Sequence, residues 1–118
     1  MRIGEVSLLT EDVPRLAAFY RGLLGVQGGD DDPVHQFVLT EETMLTIYND
    51  GVHREKNLQN IQLAFTVDDV ETQLERVKAL GAQIVSPPTV QPWGAKNMSF
   101  LDPDGNLVFL RSFPAETK

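Results

Sequence analysis

Two histidines, His35 and His53, and a run of three carboxylates, Asp30-Asp31-Asp32, are the side chains with the plainest means of holding a metal ion. Calcium needs oxygen ligands spaced along a loop and closed by a bidentate carboxylate. The triple Asp sits in Gly28-Gly29-Asp30-Asp31-Asp32-Pro33, which lacks that spacing and reads as a solvated charged turn. His35 stands at a strand edge, and His53 lies beside Arg54, Glu55 and Lys56 in a polar stretch; their separation matches no regular ligand pattern. Cysteine is absent, so disulfides and thiolate metal sites are both excluded.

Two further polar residues, Glu5 and Gln62, gain meaning from a repeat. Glu5-Val6-Ser7-Leu8-Leu9-Thr10-Glu11-Asp12-Val13 aligns without a gap on Gln62-Leu63-Ala64-Phe65-Thr66-Val67-Asp68-Asp69-Val70. Each stretch alternates apolar and polar residues, reaches an Asp-Val step and runs into a helical pattern that ends near a glycine. Repetition at about half the chain length implies two copies of one supersecondary unit rather than a solenoid. Two such units facing each other would leave a cleft, and the repeat thereby predicts where a site lies. At 118 residues the chain suffices for one hydrophobic core and falls short of two domains of ordinary size. A single domain over 1–118 is expected, with module 1 at residues 1–50 and module 2 at residues 60–112.

The positioning elements follow from pattern and caps. Arg2 to Leu9 reads as a strand with Val6 and Leu8 on one face. Asp12 is placed to cap a helix, Pro14 falls in its first turn, and Leu16, Phe19, Tyr20 and Leu23 form its apolar stripe before Gly25. Phe19 and Tyr20 are therefore core residues. Gln36 to Thr40 and Thr43 to Tyr48 make strands around a Glu41-Glu42 turn, and a polar stretch from Asn49 through Asn60 joins the halves. A strand from Ile61 to Val67 then leads to Asp68 and Asp69 as alternative caps, with Glu71 near the helix's positive end. Val70, Leu74, Val77 and Leu80 form the second stripe, and Gly81 closes that helix. Gln83 to Val85 is a short strand before Pro87-Pro88, and Trp93-Gly94 precedes a strand over Lys96 to Leu101. Asp102-Pro103-Asp104-Gly105 is a turn leading into a last strand, Asn106 to Arg111.

A net charge of -7 and a pI near 4.6 argue against a nucleic-acid partner, because phosphate binding needs a basic face. The same acidity draws cationic small molecules by long-range attraction, or simply keeps the protein soluble. No apolar run approaches the roughly 18 residues of a membrane span, so no membrane partner is expected. Met1 leads straight into a strand pattern, without the basic start and apolar stretch of a signal peptide. A cytoplasmic location is the expectation.

Three blocks together resemble the glyoxalase, bleomycin-resistance and extradiol-dioxygenase superfamily, also called the vicinal oxygen chelate superfamily. The first is Val6-Ser7-Leu8-Leu9-Thr10-Glu11-Asp12 ahead of Ala18-Phe19-Tyr20. The second is Ala64-Phe65-Thr66-Val67-Asp68-Asp69-Val70, and the third is Phe100-Leu101-Asp102-Pro103-Asp104-Gly105-Asn106-Leu107. They span almost the whole chain in the family's order. The resemblance implies an α+β fold: two paired βαβββ modules forming a curved, cup-shaped mixed sheet with two packing helices, commonly completed as a homodimer.

Metal-using members of that superfamily take one ligand from each of four strands. Carried onto this chain, the histidine seven residues before each capping Asp falls at Glu5 and at Gln62. The first carboxylate, three residues before the Tyr48-Asn49 step, falls at Leu45. The last, four residues beyond Gly105, falls at Phe109. Of these only Glu5 is a good hard-cation ligand, and Leu45 and Phe109 supply no donor. The neighbours Met44, Thr46, Val108 and Leu110 add neither carboxylate nor imidazole. No metal and no other cofactor is therefore expected.

What the resemblance leaves is an apolar cleft holding one acid and one amide, with Trp93 as a further aromatic face. Glu5, Leu45, Gln62, Trp93 and Phe109 are the expected ligand-binding residues, around a small aromatic or cationic molecule. Alternatively, Glu5 and Gln62 only bond each other or water. Three functions stay open: a metal-free binding protein, a metal-free enzyme with Glu5 as general base, or a metal-dependent lyase or dioxygenase. The missing ligands favour the first, and no second catalytic group stands near Glu5 in the pattern.

Overall fold

A helix crossing between two parallel strands organises each half of the chain. The computed structural model describes residues 1, 3–28, 31–55 and 61–114; Arg2, Gly29, Asp30, residues 56–60 and residues 115–118 fall outside that description. The chain divides into two units, residues 1–56 and 57–118.

In the first unit, β1 (Glu5–Leu9) is followed by α1 (Val13–Leu24), β2 (His35–Leu39) and β3 (Met44–Tyr48). The sheet order is β1-β3-β2, with β1 parallel and β2 antiparallel to β3. Parallel neighbours need a long crossover, and α1 supplies it. Its start follows from Asp12, whose Oδ1 accepts the Arg15 N–H at 3.3 Å, and from Pro14 in the first turn. Its end follows from Gly25, which adopts a left-handed φ of 68° and closes the last turn. Between these caps Val13, Leu16, Ala17, Phe19, Tyr20 and Leu23 are buried, and the helix lies against β2 and β3. Leu8, Val38, Leu45 and Ile47 complete this core.

The edge strand β2 carries none of the usual lysine or proline guards, and two side chains do that work instead. Arg21 donates to the Phe37 carbonyl at 3.4 Å, and the His35 N–H is taken by Asp32 Oδ1 at 3.1 Å. Backbone groups engaged in this way are less available to a stray strand.

The second unit runs β4 (Gln62–Thr66), a 3-10 turn (Val70–Gln73), α2 (Leu74–Ala79), β5 (Gln83–Val90), β6 (Lys96–Leu101) and β7 (Leu107–Ser112). The sheet order is β4-β7-β6-β5, again with the first and last strands parallel. The expected second stripe is only half realised: Val70 and Val77 are buried, whereas Leu74 and Leu80 are half-buried. Local side-chain bonds tighten the first turn and explain this. Asp69 Oδ1 accepts the Glu71 N–H at 3.0 Å, and the Thr72 hydroxyl donates to the Asp69 carbonyl at 2.8 Å.

The short strand expected over Gln83 to Val85 instead continues through Pro87-Pro88 to Val90. Proline is tolerated there because β5 is the outer strand of its sheet, and the ladder to β6 slips register on both sides of Ser86. The turn at residues 102–106 is built on buried Asp102. Its Oδ1 accepts the backbone N–H of Asp104 and of Asn106, each at 2.9 Å, and its Oδ2 accepts Asn106 Nδ2 at 2.8 Å. Gly105 takes the positive φ of 86° that closes it. The units are thus βαββ and βαβββ among the described residues, and the class is α+β as expected. No helix among the described residues is long and apolar enough to cross a membrane.

Candidate functional site

Strand alternation decides which side chains can meet a ligand, since opposed residues on neighbouring strands share a face. Arg21 of α1 donates to Gln36 Oε1 at 2.7 Å, so Gln36 and Val38 of β2 face the helix. Their register partners Ile47 and Leu45 face it too, as do Leu8 and Val6 beyond them. The opposite, open face carries Glu5, Ser7 and Leu9 from β1, Met44, Thr46 and Tyr48 from β3, and His35, Phe37 and Leu39 from β2.

On this face Thr46 donates its hydroxyl to Glu5 Oε1 at 2.5 Å. Thr46 is buried and its polar atom is thereby satisfied, while Glu5 stays exposed to solvent. Beside them stands an aromatic group that the sequence reading did not assemble. The His35 ring meets Phe37 edge-on at 5.3 Å and Tyr48 edge-on at 5.6 Å. Phe37 and Tyr48 are both exposed. Counting every second residue through His35-Gln36-Phe37 and Thr46-Ile47-Tyr48 would have found this face. His35 is exposed, as expected, but belongs to that cluster rather than standing alone.

The same alternation puts Leu45 on the helix face. It is 3% exposed, pairs with Val6 and Val38, and packs beneath α1 on the side away from Glu5. The open-face residue at that point is Thr46.

The second sheet sorts in the same way. The Lys96 ammonium reaches Glu71 of the 3-10 turn at 3.3 Å, and Ser112 Oγ accepts the Val70 N–H at 3.2 Å. Lys96 and Ser112 therefore mark the helix face. Gln62, Ala64 and Thr66 of β4 and Leu107, Phe109 and Arg111 of β7 lie on the open face. Gln62 and Phe109 thus share a face, with Phe109 half-buried opposite Ala64 and Ser99. Trp93 stands elsewhere: it is 70% exposed at the tip of the β5–β6 hairpin, where Gly94 turns at φ 98°.

Charges near the open ends are mostly paired. Asp50 accepts both Nη atoms of Arg54, at 2.8 and 2.6 Å, and this fork with the Val52 N–H holds its carboxyl down at about 2. Backbone N–H groups of Val34 and His35 likewise hold Asp32 below the usual carboxylate range. His53 is exposed and its Nδ1 lies 2.9 Å from Glu11.

Hard-cation donors are sparse among the described residues of both open faces. Among the described strand residues Glu5 is the one carboxylate on the first open face, already bonded to Thr46; its strand neighbours offer neutral hydroxyls or apolar groups, and His35 stands two strands away against Phe37 and Tyr48. The second open face offers the Gln62 amide and the Phe109 ring at the corresponding points. Among the described residues, no three His, Cys, Asp or Glu side chains gather as ligands.

Comparison with known proteins adds a family and a set of folds. The model of the Glyoxalase/Bleomycin resistance protein/Dioxygenase superfamily matches residues 2–110. The structure resembles a glyoxalase-related enzyme from Fulvimarina pelagi at 23% identity and a TM-score of 0.80, covering 96% of this chain and 88% of that one. It also resembles TioX from Micromonospora sp. ML1, at 22% identity and a TM-score of 0.75, covering 97% and 100%. A third likeness is to lactoylglutathione lyase from Agrobacterium tumefaciens, at 21% identity and a TM-score of 0.72, covering 94% and 92%. At such identities the likeness concerns the fold alone. No curated protein matches the chain in sequence.

Proposed function

The chain belongs to the glyoxalase/bleomycin resistance protein/dioxygenase superfamily, and we propose that within it this protein binds small aromatic or cationic molecules without a metal. The observation that carries this reading is the open face of the first sheet, where Glu5 shares a surface with exposed Phe37 and Tyr48. Small-molecule sites combine much apolar and aromatic surface with a few polar groups that set orientation. Here the rings supply area and attract a cation through their faces, while Glu5 accepts from a cationic or hydroxyl-bearing group. Gln62 and Phe109 offer the same pairing, one amide and one ring, on the second sheet.

The metal-free part of the proposal rests on donor chemistry. One carboxylate among hydroxyls, an amide, hydrocarbon and the single His35 imidazole, packed against two rings two strands from Glu5, would leave a divalent ion mostly solvated and loosely held. Protein purified without added metal should carry no stoichiometric nickel, zinc or iron. Elemental analysis finding one such ion per chain, resistant to dialysis, would overturn it. A thermal-shift panel of aromatic amines, aromatic alcohols and aliphatic amines should then raise the melting temperature most with the aromatic amines.

We also propose a homodimer, supported by exposed apolar side chains such as Val34, Val85 and Val90 and by the outer edge of β5, which a second copy can cover. A credible interface buries over about 1,000 Å² in total. Light scattering should give twice the chain mass, and a concentration-independent monomer would contradict it.

A further inference from the structure

Arg111 is the single charged side chain among the described strand residues on the open face of the second sheet. In a chain with 17 acidic residues against 10 basic ones, it forms no ion pair with a described residue. Neutral groups hold it instead. Its Nε donates to Thr66 Oγ1 at 2.9 Å, and its guanidinium carbon lies 5.4 Å from the centre of the Phe113 ring. Thr66 and Phe113 hold one edge and one face of the guanidinium, and neither takes its two Nη groups.

We infer that Arg111 binds the carboxylate of an aromatic or apolar acid whose body lies over Phe109. A guanidinium fork matches a carboxylate with two parallel N–H···O bonds, and a fork already held in place loses less entropy on binding. Phe109, two residues earlier on the same strand, points to the same face, roughly 7 Å away at the strand rise per residue. That spacing suits a carboxylate separated from a ring by one or two carbons. The inference uses the second unit alone and does not depend on Glu5.

The test uses the whole ¹⁵N-labelled protein and two probes, 3-phenylpropanoate and its uncharged amide. The acid should shift the Arg111 Nε–Hε resonance and the β7 amides along a saturable curve, and the amide should bind about tenfold more weakly or worse. R111Q should lose the preference for the acid. R111K, which keeps the charge but not the fork, should fall between the two. Should R111Q fail to fold, the acid–amide comparison on the unaltered protein still decides. Equal affinity for acid and amide, no saturable shift with the acid, or an unchanged preference in R111Q would each overturn the inference.

Discussion

The Thr46 hydroxyl donates to Glu5 Oε1 at 2.5 Å across the β1–β3 ladder, which holds the carboxylate on the open face of the first sheet. A buried hydroxyl thereby orients an exposed acid, and the acid in turn satisfies the hydroxyl. Thr46→Val removes the donor while nearly keeping the shape. The expected loss is about 1 kcal/mol of stability, read as a lower denaturation midpoint at an unchanged denaturant slope. The freed Glu5 should also bind aromatic amines less well, because its orientation is no longer set. A variant as stable and as competent in binding as the parent would show that the bond does neither job.

Leu45 and Thr46 are neighbours in sequence with opposite duties. Leu45→Ala should cost about 2–5 kcal/mol, the range for truncating a buried leucine. It should leave ligand affinity unchanged in the protein that remains folded. A stable Leu45→Ala variant with weakened binding would place Leu45 at the ligand after all.

This pair also shows what could be read from the chain. The first helix was legible because its signals are local: Asp12, Pro14 and Gly25 act through bonds and dihedrals within a turn of themselves. The face of each strand residue was less so. Counting back from Tyr48 lands on Leu45, and an error of one residue exchanges the core face for the open one. The trio of His35, Phe37 and Tyr48 stayed hidden because it is made by pairing β2 with β3. Pro87-Pro88 looked like the end of a strand, since proline's meaning depends on whether the strand lies at an edge.

Strong acid should loosen the loop after β3. The Asp50 carboxyl titrates near 2 when folded against an ordinary value of 3.8, chiefly because Arg54 grips it. A folded value below the unfolded one means the stabilising contribution is full above the ordinary value. It is lost as pH falls through about 2. Amide exchange at Val52 and the Arg54 side-chain resonances should report release between about pH 4 and pH 2, and Asp50→Asn should abolish that transition. A transition unchanged in Asp50→Asn would assign it to another group.

Calorimetric titration of phenethylammonium into protein treated with a chelator separates metal-free binding at Glu5 from a metal-dependent site. Saturable binding is expected, and added nickel, zinc or iron should not strengthen it. Glu5→Gln should weaken it about tenfold, the scale of one charge-assisted hydrogen bond, while 2-phenylethanol is held almost as before. Binding that appears only when a divalent metal is restored, or that ignores the loss of the Glu5 charge, would contradict it.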